Sequence, residues 1–267
     1  MTSYDLTGRK ALVTGGARGL GAGMAEALAK AGAAVAIGDV TEDVGKQTAQ
    51  ALRDAGATAE FVALDVTDEA SWAEAIPNVV NALGGLDLVV NNAGVEITSL
   101  IVDLDPADIR KMLDVNVLGT ALGLKHAFRA MRPGGAAGNG GGVINISSVA
   151  ATIAFPGISG YSATKSAIDR LTRVAAAESG KLGYGVRVNC IYPGLTPTVM
   201  GNQLAADCAA IGLFPSPEAA AQAVAELTPQ GRLGQVDDMA DAVVFLASDA
   251  AKFITGAGLP VDGGMGM

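Results

Sequence analysis

Residues 10–21, Lys-Ala-Leu-Val-Thr-Gly-Gly-Ala-Arg-Gly-Leu-Gly, decide the fold of this chain. Lys10 to Thr14 form a short, mostly apolar run, which is typical of a strand covered on both faces. The glycines that follow allow the backbone to turn tightly, and helical periodicity begins directly after them. Such a turn can approach a pyrophosphate closely, while the N-terminus of the helix offers free amide donors to the anion. The stretch therefore predicts a strand, a turn and a helix that together bind a dinucleotide.

The same alternation of strand and helix continues along the chain. Alanine-rich helix candidates of about 12 to 25 residues lie between short apolar runs. These runs span residues 10–14, 34–39, 59–65, 86–91, 143–147, 186–191 and 259–261. We therefore predict an α/β fold with a Rossmann-type, doubly wound parallel sheet of about seven strands and helices on both faces. No composition break divides residues 1–267, so we expect one domain, with a flexible surface loop at the glycine-rich residues 134–142.

Composition limits the possible partners. The formal net charge of −9 argues against nucleic acid, whose phosphates require clustered positive charge. No uninterrupted apolar run is long enough to cross a membrane, and the N-terminal residues are too polar for a secretory signal. Cys190 and Cys208 are the only cysteines, too few for a disulfide framework or a thiolate metal cluster. We expect a cytoplasmic protein without a metal, and we expect its single histidine, His126, to lie on a helix surface.

Asp39 bears on which dinucleotide binds. It ends the second predicted strand, about twenty residues after the glycine turn, where a carboxylate can accept hydrogen bonds from the adenosine ribose and would repel a 2′-phosphate. This position favours NAD over NADP. Arg18 is the counter-argument, because a basic residue in the turn could pair with a phosphate. The ordinary alternative is an aspartate that merely begins the next turn.

Four further polar features lie at predicted strand ends or on one helix face. They are Asn-Asn-Ala-Gly at 91–94, Ser-Ser at 147–148, the pair Tyr161 and Lys165 one helical turn apart, and Asn116 on a stripe with Ile109, Met112, Leu113 and Val117 that should face the core. Each has an ordinary structural alternative when taken alone. A buried asparagine can satisfy backbone groups, a Tyr–Lys pair is often exposed, and two serines after a strand often form a cap or turn.

Taken together and in this order, these residues resemble the short-chain dehydrogenase/reductase family, in its single-domain form, over essentially the whole chain. The matching motifs are Thr-Gly-x-x-x-Gly-x-Gly at 14–21, Asp-Val at 65–66, Asn-Asn-Ala-Gly at 91–94, Asn116, Ser148, Tyr-x-x-x-Lys at 161–165, Pro-Gly at 193–194 with Thr198 beyond it, and Val-Asp-Gly-Gly at 261–264. The resemblance implies an oxidoreductase that interconverts a secondary alcohol and a ketone by hydride transfer with NAD(H).

The resemblance also implies a role for each matched residue. Tyr161 would move the proton of the reacting hydroxyl, Ser148 would orient the substrate oxygen, and Asn116 would hold a water that links Lys165 to solvent. Lys165 would bind the nicotinamide ribose, and its ammonium should lower the pKa of Tyr161. The implied cofactor contacts are Gly15, Arg18, Gly19, Leu20, Gly21, Asp39, Asp65, Val66, Asn91, Ala93, Gly94, Tyr161, Lys165, Pro193, Gly194, Thr196 and Thr198. Family members usually form homotetramers, through the helices that carry Asn116 and Tyr161 and through the C-terminal strand.

The substrate is less constrained by the sequence. Residues 198–229 resemble the family's substrate-covering helices and would form a lid. We expect substrate contacts from Glu96 and from Ser148, Phe155, Tyr161, Tyr192, Met200 and Leu204. The apolar side chains among them, Phe155, Met200 and Leu204, favour a hydrophobic cyclic, aromatic or steroid-like alcohol, although they could simply pack the lid onto the core. A 3-oxoacyl or sugar/polyol reductase of the same family is the alternative substrate class. A non-redox lyase and an NAD-binding regulatory protein are the rival functions.

Overall fold

A parallel sheet forms the centre of the molecule. The computed structural model describes residues 4–267, and within them seven strands lie in the order β3-β2-β1-β4-β5-β6-β7. Every neighbouring pair is parallel. The strands are β1 (Lys10–Thr14), β2 (Ala34–Asp39), β3 (Ala59–Ala63), β4 (Leu88–Asn91), β5 (Gly141–Ile146), β6 (Val186–Pro193) and β7 (Gly258–Val261). This arrangement confirms the predicted fold class.

Helices cover both faces of the sheet. They are α1 (Gly19–Lys30), α2 (Glu42–Asp54), α3 (Glu69–Leu83), α4 (Pro106–Met112), α5 (Gly119–Met131), α6 (Ser159–Leu182), α7 (Val199–Ala210), α8 (Pro217–Leu227) and α9 (Val236–Ala247). Apolar side chains of α1, α2 and α9 pack on one face, and those of α3, α5 and α6 pack on the other. Their burial supplies the main stabilisation of the fold. None of the helices in residues 4–267 is both long and apolar enough to span a membrane.

The strand limits differ from the predicted ones where pairing and turns take over from composition. β3 ends at Ala63, opposite Asp39, and Asp65 already forms a turn in which its carboxylate accepts hydrogen bonds from Thr67. β5 begins at Gly141, inside the stretch expected to be a loop, because Gly141 and Gly142 pair with β6. β6 extends to Pro193 because β7 pairs with it that far.

Two predictions about α4 and α5 were wrong. His126 does not lie on the surface: it is 7% exposed, its ring stacks on Trp72 at 5.9 Å between centroids, and its Nε2 lies 3.0 Å from Glu69. The cause is α3, which covers that side of α5. Leu113 does not face the core either, since 44% of it is exposed. The helix adopts a wider π-helical pitch from Leu113 to Leu118, which changes the angular position of each residue there.

The strand order places the site. β2 lies on one side of β1 and β4 on the other, so the chain direction across the sheet reverses between β1 and β4. In a doubly wound sheet, ligands bind outside the carboxyl ends of the strands at this reversal. The glycine turn, Asp39, the segment 91–94, Ser148 and Pro193 all follow the carboxyl ends of strands. The fold therefore collects the predicted site residues along one edge of the sheet.

Candidate active site

The glycine turn packs directly against the loop that follows β4. A Cβ on Gly15, whose φ is +61°, would lie 2.8 Å from the Cα of Ala93, and one on Gly21 would lie 2.2 Å from the Gly15 carbonyl oxygen. The Asn92 side-chain amide donates to the carbonyls of Thr14 and Gly15 at 3.0 and 3.1 Å. Only glycine fits at positions 15 and 21. Asn92 joins the two loops, a role that the sequence motif alone did not reveal.

The start of α1 fits a pyrophosphate. Arg18 is the N-cap residue, and it makes no side-chain hydrogen bond to the helix, so the amides of the first turn keep their donors free. Gly19 has a φ of +59°, and its position is open enough for a close approach. Free amides and the helix dipole together favour a phosphate group here. The exposed Arg18 side chain lies at the mouth of this turn.

Asp39 is held beside the turn. Its Oδ2 accepts a hydrogen bond from the Ala17 amide at 3.1 Å, and its Oδ1 accepts one from the Thr41 amide at 2.9 Å. These two bonds fix the carboxylate at the end of β2, next to the residues that would cradle the phosphates. A fixed acceptor in this place suits the hydroxyls of an adenosine ribose.

The residues expected around the adenosine lie after β3 and β4. Asp65 is exposed, whereas Val66 is 8% exposed and packs under Gly119, with its carbonyl accepting from the Trp72 indole at 3.0 Å. Asn91 is also buried: its amide donates to Asn145 at 2.8 Å, and its Oδ1 has no partner among the described residues. A contact from Asn91 to a ligand would thus have to come through its backbone or that free oxygen.

Ser148, Tyr161 and Lys165 come together at the ends of β5 and α6. The Ser148 hydroxyl accepts a hydrogen bond from the Ala150 amide at 3.1 Å, and the Ser148 side chain lies close enough to Tyr161 to affect its pKa. Lys165 lies one turn further along α6, with its Nζ 5.4 Å from the centre of the Tyr161 ring. Its ammonium donates to the Ile146 carbonyl at 2.8 Å. The three functional groups thus share one small, largely buried region.

Burial dominates the electrostatics of this group. It raises the pKa of Tyr161 to about 12, although the nearby Ser148 hydroxyl acts in the opposite direction, and the charge on Glu96 raises that pKa further. Burial also lowers the pKa of Lys165 to about 8. The expected lowering of the Tyr161 pKa by Lys165 is therefore not found in the protein alone, because Lys165 is itself desolvated and its charged form is disfavoured.

Asn116 ties the catalytic helix to the loop after β4. The side chain is fully buried; its Oδ1 accepts from the Val95 amide at 2.8 Å, and its Nδ2 donates to the Val95 carbonyl at 2.9 Å and to Thr164 Oγ1 at 3.0 Å. Every polar group of the side chain is therefore used within the protein. A water at Asn116 would therefore have to be held by the backbone carbonyl, which also accepts the Thr120 hydroxyl at 2.7 Å.

Ser147 also has a positioning role. Its hydroxyl donates to the Lys165 carbonyl at 2.8 Å, which fixes α6 against the end of β5. The Ser147 hydroxyl is therefore used within the protein, whereas Ser148 is the serine near Tyr161.

The turn after β6 forms the other wall. The Gly194 amide donates to the Val261 carbonyl at 3.0 Å, and the Thr196 hydroxyl donates to the Gly194 carbonyl at 3.3 Å. Thr198 is the N-cap of α7, where its hydroxyl accepts from the Gly201 amide at 3.2 Å. This turn is thus anchored both to β7 and to the first helix of the predicted lid.

An apolar cluster lies under α7 and α8. Buried Ala205, Cys208 and Ala220 pack with Leu204 and with Phe155, whose ring stacks on Phe214 at 6.2 Å. Met200 is 40% exposed and outside this cluster. Tyr192 is not brought to it either. Its hydroxyl donates to Asp169 and its ring occupies the space over Gly258, so the alternation of side chains along β6 directs it toward the middle of α6.

A doubly wound sheet with a glycine turn at its reversal point and a Ser–Tyr–Lys group beside it defines a nicotinamide-dependent oxidoreductase. The chain belongs to the short-chain dehydrogenase/reductase family, as the sequence resemblance implied. A family model described as enoyl-(acyl carrier protein) reductase matches residues 15–266.

Relatives and solved structures agree with this assignment. The chain is 41% identical to cis-4-hydroxycyclohexanecarboxylate dehydrogenase of Sinomonas cyclohexanicum, over 96% of this chain and 96% of that one. It is 38% identical to a 3-alpha-(or 20-beta)-hydroxysteroid dehydrogenase of Mycobacterium tuberculosis, over 98% of this chain and 91% of that one.

Two solved structures share the whole fold. An NAD+-bound xylitol dehydrogenase has a TM-score of 0.91 at 31% identity, covering 97% of this chain and 99% of that one. A gluconate 5-dehydrogenase from Burkholderia cenocepacia, in complex with NADP and tartrate, has a TM-score of 0.87 at 35% identity, covering 98% and 97%. The chain is therefore an oxidoreductase that acts on a secondary alcohol or the corresponding ketone with a nicotinamide cofactor.

Proposed function

We propose that this protein is an NAD-dependent dehydrogenase of a hydrophobic, cyclic secondary alcohol, with Tyr161 as its acid–base residue. The observation that carries the proposal is the meeting of Ser148, Tyr161 and Lys165 beside a glycine turn that fits a dinucleotide. The cofactor, when bound, supplies the hydride acceptor. The residues of this chain bind and orient the alcohol and remove its proton.

The buried group of Ser148, Tyr161 and Lys165 would remove the hydroxyl proton of the alcohol. Ser148 holds the alcohol oxygen near Tyr161, and Tyr161 takes the hydroxyl proton as general base in oxidation and returns it as general acid in ketone reduction. Since burial raises the pKa of Tyr161 to about 12, the tyrosinate must be stabilised when the site is complete. Lys165 contributes to this with its ammonium and also binds the nicotinamide ribose. Asn116 positions the loop at Val95 and holds a relay water at its carbonyl.

NAD rather than NADP is proposed from the position of Asp39. Its carboxylate is fixed by the amides of Ala17 and Thr41. In this position it would accept hydrogen bonds from the adenosine ribose of NAD and would repel the 2′-phosphate of NADP. Arg18 lies nearby without a carboxylate partner among the ion pairs of residues 4–267, and it is the residue that would assist NADP. The family uses both cofactors, as the two solved structures show.

The cyclic substrate is proposed from the apolar cluster and from the relatives. Phe155, Phe214 and Leu204 form a wall suited to a ring. The first relative is named for a cyclohexane acid and the second for hydroxysteroids. A sugar or polyol is the second candidate, because the two solved structures are a xylitol and a gluconate enzyme.

Three further proposals complete this assignment. The chain forms one domain with residues 198–229 as a lid, which the packing of α7 and α8 on Phe155 supports. It works as a homotetramer, which the exposed apolar residues Leu113, Leu118 and Val174 on the helices of Asn116 and Tyr161 support. It resides in the cytoplasm, which the two free cysteines support.

The test is a screen of cofactor reduction. Cyclohexanol, a hydroxysteroid and xylitol are each offered with NAD and with NADP, and the absorbance of the reduced cofactor is followed. The proposal expects the highest kcat/KM with NAD and a cyclic alcohol. Preference for xylitol would support the polyol alternative, and preference for NADP would refute the assignment of Asp39.

A further inference from the structure

Glu96 is a carboxyl group in the substrate site that the chemistry described above does not use. It lies two residues after Gly94, where a Cβ would be 3.5 Å from Lys165 Nζ and 3.3 Å from Asn116 Oδ1. Asn116 holds the intervening Val95 through both its amide and its carbonyl. The backbone that carries Glu96 is thus fixed against the catalytic group.

The other side of Glu96 is closed by the lid. Thr98 donates its hydroxyl to Glu96 Oε1 at 2.9 Å, and the methyl group of Thr98 lies 3.3 Å from the Cβ position of Gly157. That position is also 3.1 Å from Leu213 and 3.2 Å from Ile211, which follow α7. Glu96 therefore lies between the catalytic residues and the lid, where a substrate ring would be enclosed.

The segments around Glu96 carry carboxyl groups and no basic side chain, and the basic group nearest to them is Lys165 of the catalytic group. Burial and the Asp207 carboxylate of α7 raise the pKa of Glu96 to about 7. The charge of Glu96 also raises the pKa of Tyr161 on α6 and of Cys208 on α7. The sequence contains no lysine or arginine in residues 94–100, 149–159 or 198–229, the three segments that surround the site. An anionic substituent on the substrate would meet two carboxyl groups and no cation among these segments.

We infer that Glu96 determines specificity: it accepts a hydrogen bond from a hydroxyl group on the substrate remote from the reacting carbon, and with Asp207 it excludes carboxylate-bearing substrates. This inference rests on the proposed function and narrows its substrate to a cyclic diol or hydroxyketone. It also predicts that this protein oxidises poorly the kind of cyclohexane carboxylate for which one relative, 41% identical, is named.

The test uses one ring with different substituents. Cyclohexanols that carry hydrogen, hydroxyl, ammonium or carboxylate opposite the reacting carbon are compared as substrates with NAD. We expect kcat/KM for the hydroxyl compound to exceed that for the carboxylate by about a hundredfold, because a buried carboxyl both pairs with a donor and repels an anion. Turnover of the carboxylate as fast as the diol would overturn the inference, and so would an ammonium compound that is preferred while the diol is no better than cyclohexanol.

Variants assign the effect to this residue. Glu96→Gln keeps an acceptor for Thr98 and removes the charge, so it should reduce the hydroxyl-to-carboxylate ratio about tenfold, and Asp207→Asn should reduce it less. Glu74→Gln, an exposed carboxyl on α3, is the matched control and should leave the ratio unchanged. A ratio that Glu96→Gln leaves intact would refute the role of Glu96.

Binding distinguishes failure of the inference from failure of the proposed function. The same four compounds are titrated calorimetrically into the enzyme with NADH. If none is turned over but the diol binds and the carboxylate does not, the proposed reaction is wrong and the role of Glu96 stands. If cyclohexanol is oxidised but all four bind equally, the proposed reaction stands and the role of Glu96 is wrong.

Discussion

At the reacting centre, two neighbouring side chains of α6 carry opposite pKa shifts from one cause. Burial disfavours the charged form of each, so the pKa of Tyr161 rises to about 12 and that of Lys165 falls to about 8. Chemistry needs the opposite, a tyrosinate beside an ammonium. The burial of the Lys165 ammonium therefore costs stability. A bound cationic nicotinamide would stabilise the tyrosinate of Tyr161 and would further disfavour the ammonium of Lys165.

Replacing Lys165 with Met should stabilise the folded protein and abolish activity. The folded-state pKa of Lys165, about 8, lies below its ordinary value of 10.5, so the unfolded chain binds more protons between these values. The free energy of unfolding of the variant should exceed that of the wild type by about 1–3 kcal/mol near pH 7, after the lost hydrogen bond to Ile146 is subtracted. That advantage should shrink as pH rises from about 8 to 10.5. Thermal unfolding across this range measures it, and a variant less stable at pH 7 would contradict the assigned cost of burial.

Asp39 tests cofactor choice at the same scale. Asp39→Ala should raise the KM for NAD about tenfold, because ribose hydroxyls lose a charged acceptor. The KM for NADP should fall, because the repulsion of the 2′-phosphate is removed and Arg18 stays in place. Steady-state kinetics with both cofactors measures the exchange. Asp43→Ala, on the exposed first turn of α2, is the control, and equal effects of the two substitutions would refute the role of Asp39.

Among the elements, α7 and α8 form the proposed cover of the substrate. One of their contacts with the rest of the molecule is the apolar cluster that includes Phe155, whose ring stacks on Phe214 in the loop between the two helices. Phe155→Ala should raise the KM for a cyclic alcohol about tenfold by opening an apolar wall, with the KM for NAD unchanged. Leu227→Ala, 59% exposed at the end of α8, should alter neither constant. Loss of NAD binding in the Phe155 variant would show that this residue supports the cofactor site instead.

Motif and spacing predicted the elements of the site better than their surroundings. Apolar periodicity and the conformational freedom of glycine made the sheet and the glycine turn predictable from local rules. The Ser–Tyr–Lys group was predictable only through the family resemblance. The direction of Tyr192 could not, because it depends on the space over Gly258 and on Asp169 of another element. The burial of His126 required knowledge of α3, and the exposure of Leu113 required the π-helical turn. The charge environment of Glu96 required the position of Asp207 on the lid.

For the whole molecule, the exposed apolar side chains around α5 and α6 bear on assembly. Leu113 and Leu118 are each 44% exposed and Val174 is 49% exposed, and an interface between subunits would cover such side chains. Leu118→Asp should convert a tetramer into smaller species, measured by light scattering after size exclusion. Val40→Asp, 67% exposed at the end of β2, should leave the assembly intact. A wild-type monomer would contradict the proposed homotetramer.

The central claim is that Tyr161 moves the proton while NAD takes the hydride, and Tyr161→Phe tests it most directly. The substitution removes one hydroxyl from a ring that otherwise keeps its packing. NADH formation from a cyclic alcohol should fall at least about a hundredfold, while NAD binding measured by calorimetry stays within about twofold of wild type. Turnover by the variant at a rate close to that of the wild-type enzyme would contradict the account.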